Sequence, residues 1–135
     1  MRARVAALWF PDWPIQAARR ELGVEGPLAI VKDHRVRVHS GELRRGMKIR
    51  QAQALIPSLT VLDDAPDRDG RVFAEIAAGL DDVASSVEVL RPGLILVDAA
   101  AAAKFHGGEH VAVEMLLDAA ARANLDVQVG VADEI

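Results

Sequence analysis

Four short apolar runs constrain this chain more than any other feature: Val5–Trp9, 87–90, 94–97 and 127–131. Each is strand-length and bounded by residues that break or turn a chain: Pro11 after the first, Arg91-Pro92-Gly93 between the second and third, Asn124 before the fourth. Two stripes of helical spacing lie between them. Val72, Phe73, Ile76, Leu80 and Val83 form one, and Val113, Leu116, Leu117 and Ala120 the other. The spacing predicts helices over 71–84 and 111–124, covering one face of a sheet built from the four runs. The order is β-α-β-β-α-β, that of a ferredoxin-like split.

A second pattern interrupts the first. Pro14 suits the opening turn of a helix, where its missing N–H costs nothing, and Ile15, Ala18 and Leu22 follow at helical spacing before Gly23. The segment 28–31 reads as a strand. Asp33-His34 reads as a tight turn, and Val36 and Val38 alternate with Arg35, Arg37 and His39 as a half-exposed strand should. A short helix over 48–55 stops before Pro57, and 59–62 is a brief strand. The acidic stretch 63–70, "DDAPDRDG", reads as a turn-rich linker. The expected class is α/β (α+β): a ferredoxin-like domain with a mixed sheet from 1–12 and 67–135, and a small inserted domain from 13–66, which the resemblance described below likens to a palm and fingers. Five alanines after Asp98 are helical or connecting sequence.

Composition narrows the chemistry. Aromatic residues are 4% of the 135, so the core must be aliphatic. There is no cysteine, which removes disulfides, thiolate metal sites and a thiol nucleophile, and fits a reducing compartment. No apolar run approaches a membrane span, and "MRARVAAL" lacks the pattern of a signal peptide. Net charge is −4, so any nucleic-acid contact must be a local patch.

Such a patch exists: "RRGMKIR" puts Arg44, Arg45, Lys48 and Arg50 into seven residues, with Arg35 and Arg37 on the preceding hairpin. It is either a phosphate-contacting surface or a solvated helix face. Carboxylates at strand ends are Asp12, Asp98 and the pair Asp63-Asp64. Two-metal phosphoryl chemistry needs several carboxylates converging on one point. Isolated Asp12 and Asp98 read more simply as turn or helix-cap residues. His34, His39, His106 and His110 are scattered, and Gly107-Gly108 lacks a phosphate-loop pattern. The stretch "LWFPDWP" holds both tryptophans, Trp9 and Trp13. Either they pack into the core, as large aromatics generally do, or they form a partner surface.

The ordered words "ALWFPDWPIQAA", "LRRGMKIRQAQALIPSL", "VEVLRPGLILVD", "KFHGGE" and "VGVAD" span nearly the whole chain. With them the sequence resembles the N-terminal part of the Y-family (translesion) DNA polymerases, and within these the ImuB-like, catalytically inactive branch. In active members a metal-binding Asp leaves the first strand and an adjacent Asp-Glu pair lies in a later one. Laid on this chain, the first falls at Phe10 and the pair at Gly93 and Leu94. The aromatic gate that rejects ribonucleotides falls near Ile15. The triphosphate-contacting Tyr-x-x-Arg stretch before Gly46 has no tyrosine here, and His39 stands near the arginine's place. Asp98 matches a later acidic position rather than a metal ligand, and Asp12 lies two residues past the first.

The resemblance implies a noncatalytic polymerase-like scaffold in DNA repair and damage-induced (SOS) mutagenesis. Such a protein has no cofactor and no metal, is cytoplasmic, and is nucleoid-associated during repair. Its implied partners are an error-prone DNA polymerase, an accessory mutagenesis protein and the sliding clamp, engaged mostly through parts beyond this chain, with weak DNA contact. Relatives run several hundred residues, so the chain resembles their N-terminal lobes. Two other readings stay open: an active translesion polymerase with Asp12 and Asp98 as atypical ligands, and an unrelated protein-interaction module.

Overall fold

The computed structural model describes residues 4–84 and 86–133. The chain divides into two compact units, Met1–Pro11 with Phe73–Ile135, and Asp12–Val72.

The first unit carries a four-stranded sheet of β1 (Val5–Trp9), β5 (Val87–Arg91), β6 (Leu94–Asp98) and β7 (Gln128–Ala132), in the order β5-β6-β1-β7 with every pairing antiparallel. The three strands that intervene in sequence, β2 (Leu28–Lys32), β3 (Arg35–His39) and β4 (Thr60–Asp63), belong to the second unit. Register is fixed by side-chain parity. Ala6 faces Val97 and Leu8 faces Ile95, and all four are at most 1% exposed. Helix α3 (Pro66–Gly79) continues into a 3₁₀ turn, Leu80–Asp82, and buries Phe73, Ile76, Ala77 and Leu80. Helix α5 (Glu109–Arg122) buries Ala112, Leu116 and Ala120. One tie fixes the unit's ends. Arg4, just before β1, donates from Nε and Nη2 to both oxygens of Glu109 at 2.8 and 2.9 Å, and from Nη1 to Asp133 at 2.7 Å. This paired fork holds the Arg4 guanidinium more firmly protonated and draws the Glu109 carboxyl below its usual range.

The second unit is a three-stranded mixed sheet, β3-β2-β4, from β2 (Leu28–Lys32), β3 (Arg35–His39) and β4 (Thr60–Asp63). The β2–β3 pair is antiparallel and β2–β4 parallel. Leu28 to Val31 are all buried, as an unbroken apolar run in a strand covered on both faces should be. On one side α1 (Trp13–Leu22) sets Ile15 and Ala18 against Leu28 and Ile30. On the other, Ala52 of α2 (Ile49–Leu55) and Leu43 join Ala29, Val31 and Val36. Asp33 and His34 both take positive φ, 52° and 64°, which lets a two-residue loop join strands of right-handed twist.

The structure moves three expected boundaries. Helix α3 begins at Pro66 rather than 71, because proline fits an opening helical turn and Asp67 and Asp69 favour its N-terminal dipole. The unit border accordingly falls within that helix, at 72/73 where 66/67 was expected, and the earlier border at 11/12. The alanine run is a helix, α4 (Ala99–His106), which lies against α5. Among the described residues no helix is long and apolar enough to cross a membrane.

Candidate functional site

Two places gather the residues of interest, one in each unit. In the first unit, the exit of β1 meets the turn between β5 and β6. Trp9 pairs with Leu94, and the Phe10 N–H donates to the Gly93 carbonyl at 2.8 Å. Positions 10, 93 and 94, more than 80 residues apart in sequence, therefore share one corner of the sheet. Gly93 takes φ 96°, the left-handed conformation that its turn requires. Phe10 is 1% exposed, its ring edge-on to Phe73 with centroids 5.4 Å apart. The corner presents an aromatic ring, a residue without a side chain and a leucine. It does not fit a divalent cation, because none of the three side chains carries an oxygen.

Asp98 lies at the far end of the same strand pair, opposite Val5. Four residues of strand separate it from Leu94, on the order of 13 Å. Its Oδ1 accepts from the Ala101 N–H at 3.0 Å, so its work is to cap α4. Asp12 belongs to the second unit, where it precedes α1 in a left-handed conformation at φ 49°, and its carbonyl accepts from the Ile15 N–H at 2.9 Å. Among the described residues no three His, Asp or Glu side chains are placed to hold a metal ion. His34 sits in a turn, His110 pairs with Glu114 one helical turn on at 3.1 Å, and the side chain of His106 lies outside the described residues.

The two tryptophans part company. Trp9, on the sheet face away from Leu8, is 46% exposed. Trp13 is 3% exposed, and its indole N–H donates to the Asp69 carbonyl at 2.8 Å. Trp13 is therefore corrected from a partner surface to a core residue of its unit, because only burial lets its ring and its N–H both find partners.

The basic residues converge around α2 in the second unit. Ala52 turns inward while the helix stands as a ridge between two grooves. One, of about 570 Å³, is lined by Arg35, Lys48 and Arg50 together with Asp33 and His34. The other, of about 600 Å³, is lined by Arg44, Arg45, Met47, Gln51, Ala54 and Leu55. So the four cations predicted from sequence are brought together but divided two and two. Arg35 leans back, donating to the Gly46 carbonyl at 2.8 Å, and Arg37 is committed to Asp64 at 2.6 Å.

No family model matches the chain, and no curated protein matches it. Solved structures do. A Dbh ternary complex superposes with a TM-score of 0.74 at 19% identity, covering 96% of this chain and 41% of that one. DinB from Sulfolobus solfataricus gives 0.69 at 19%, covering 96% and 42%. A Y-family DNA polymerase chimera of Dbh and Dpo4 gives 0.69 at 16%. The fold is Y-family-polymerase-like. The chain spans about two fifths of the length of these neighbours. Within this Y-family-like fold, sequence reasoning missed a buried charge. Asp69 is 5% exposed, and burial pushes its carboxyl above the usual range more than the nearby Arg68 guanidinium pulls it down. Periodicity gave no sign of it, because the residue was assigned to a linker.

Proposed function

We propose that this chain is the palm-like and fingers-like part of a noncatalytic Y-family-like protein. It serves as a scaffold in DNA-damage bypass, bridging an error-prone polymerase and accessory factors to the sliding clamp. One observation carries the reading: Phe10, Gly93 and Leu94 occupy one corner, and these are the positions at which the resemblance calls for metal-binding carboxylates. A phosphoryl transfer without charge stabilisation at the reacting phosphate loses its main source of rate. The palm-like and fingers-like labels attach to the first and second units respectively. Trp9 is the remaining candidate partner surface at this corner.

The test is templated nucleotide incorporation on a primer-template, with Mg²⁺ and with Mn²⁺, by the longest natural form of the protein. No extension above background is expected. Templated extension that Asp98→Ala abolishes, in protein that still folds, would instead favour the active polymerase with atypical ligands. The capping role of Asp98 speaks against that alternative.

Weak DNA contact is proposed for Arg44, Arg45, Lys48 and Arg50. It is read from the salt dependence of binding, since each phosphate neutralised contributes about 0.9 to the slope on duplex DNA. Lys48→Glu with Arg50→Glu should weaken binding and lower the slope by about 2. An unchanged affinity would return the patch to a solvated surface.

A further inference from the structure

The groove on the Arg44 side of α2 has a feature that phosphate binding does not explain. Met47, Ala54 and an exposed leucine, Leu55, line it together with Arg44, Arg45 and Gln51. Leu55 is 62% exposed, although Ala52, one turn before it, is fully buried. Arg44 and Arg45 are exposed and make no ion pair or side-chain hydrogen bond among the described residues, in contrast to Arg35 and Arg37 on the same unit. A nucleic-acid backbone would use the cations and leave Leu55 against water.

We infer that this groove is a docking site for an acidic, amphipathic segment of a partner protein, its apolar anchor seated on Met47, Ala54 and Leu55 and its flanking carboxylates on Arg44 and Arg45. Charge complementarity selects the occupant. The rim is cationic on a chain whose net charge is −4, and guanidinium groups match carboxylates two bonds at a time. Apolar side chains beside arginine are also a common composition of interface hot spots. Size agrees. At about 600 Å³ the groove is of the order that takes one large side chain and its neighbours. Helix α2 has seven residues and is roughly 10 Å long, which three or four residues of extended peptide would span. The inference shares Arg44 and Arg45 with the proposed DNA contact, but the test of that contact uses Lys48 and Arg50 on the other groove, so the two can fail separately.

The probe is a dye-labelled synthetic peptide with two carboxylates on each side of a single leucine, titrated with the whole chain and followed by fluorescence anisotropy. Saturable binding is expected. Leu55→Ser should weaken it about fivefold or more, as should replacing the peptide's leucine by alanine, and Arg44→Gln with Arg45→Gln about tenfold. Because Leu55 is exposed, Leu55→Ser should leave the melting curve in place, and this is checked on the same samples. The inference is overturned by absent saturation. It is equally overturned if the leucine-free peptide or a single-stranded oligonucleotide binds as tightly and is indifferent to Leu55→Ser, which would make the groove a general anion or nucleic-acid surface.

Discussion

Asp69 shows how a single residue can set a protein's response to pH. It lies in the first turn of α3, buried, with its Oδ1 3.9 Å from the Arg68 Nε, beyond hydrogen-bond reach. Because burial raises its carboxyl in the folded state, the folded chain binds its proton more readily than the unfolded chain does. That contribution is fully present below the ordinary aspartate range and is lost as pH rises through the folded value. Asp69→Asn should therefore flatten this decline and stabilise the protein at neutral pH by about 1 kcal/mol. Urea unfolding midpoints of both proteins between pH 4 and pH 7 measure the difference. Nothing in the sequence distinguishes Asp69 from the exposed Asp67 two residues earlier, since only the packing of the helix decides which of them loses water.

At the scale of elements, legibility followed the strength of the local signal. Strands β1, β2 and β6 stand where apolar runs met turn residues, and the Asp33-His34 turn lies where two polar residues divided alternating ones. The starts of α3 and α4 were harder. "DDAPDRDG" is turn-rich by composition, yet a proline followed by two aspartates is equally an opening helical turn, and only the packing of the buried stripe selects the helix. Asp98 was ambiguous in the same way, a carboxylate at a strand end that serves as a cap. Asp98→Ala should cost about 1 kcal/mol and loosen α4 first. Amide hydrogen exchange should show faster exchange in Ala101 than in the central residues of α5. The corner of Phe10, Gly93 and Leu94 could not be read from spacing at all. Resemblance alone pointed to those three positions, and the antiparallel register of β1 with β6 is what brings them together. The grooves beside α2 were half legible. The cations stand out in the sequence, but the exposure of Leu55 depends on which way a short helix turns.

On the scale of the whole molecule, the second unit carries apolar clusters of its own. Two described among its residues, Ile15 with Leu28 and Ile30, and Val31 with Val36 and Ala52, draw all their members from within Asp12–Val72. A segment of residues 12–72 should then fold alone. At that length a single core yields only about 3–5 kcal/mol, so the transition should be cooperative but shallow. Circular dichroism during thermal melting of the isolated segment checks this, and a non-cooperative trace would mean the clusters need more than their own unit. The resemblance found in the sequence and the structural likeness agree on the architecture, and they agree for different reasons. The first rests on ordered words, and the second on where strands lie at 16–19% identity.

The pairing of β5 with β6 slips between Val89 and Arg91, so Leu90 has no opposite number on its neighbour. Strand β5 is also an outermost strand, with Val89 45% and Leu90 48% exposed. A flat, greasy border of that kind invites a second molecule to zip onto it, and a local kink frustrates the zipper. The irregularity thus blunts that border, and deleting Leu90 should make the chain more prone to self-association, which light scattering would register.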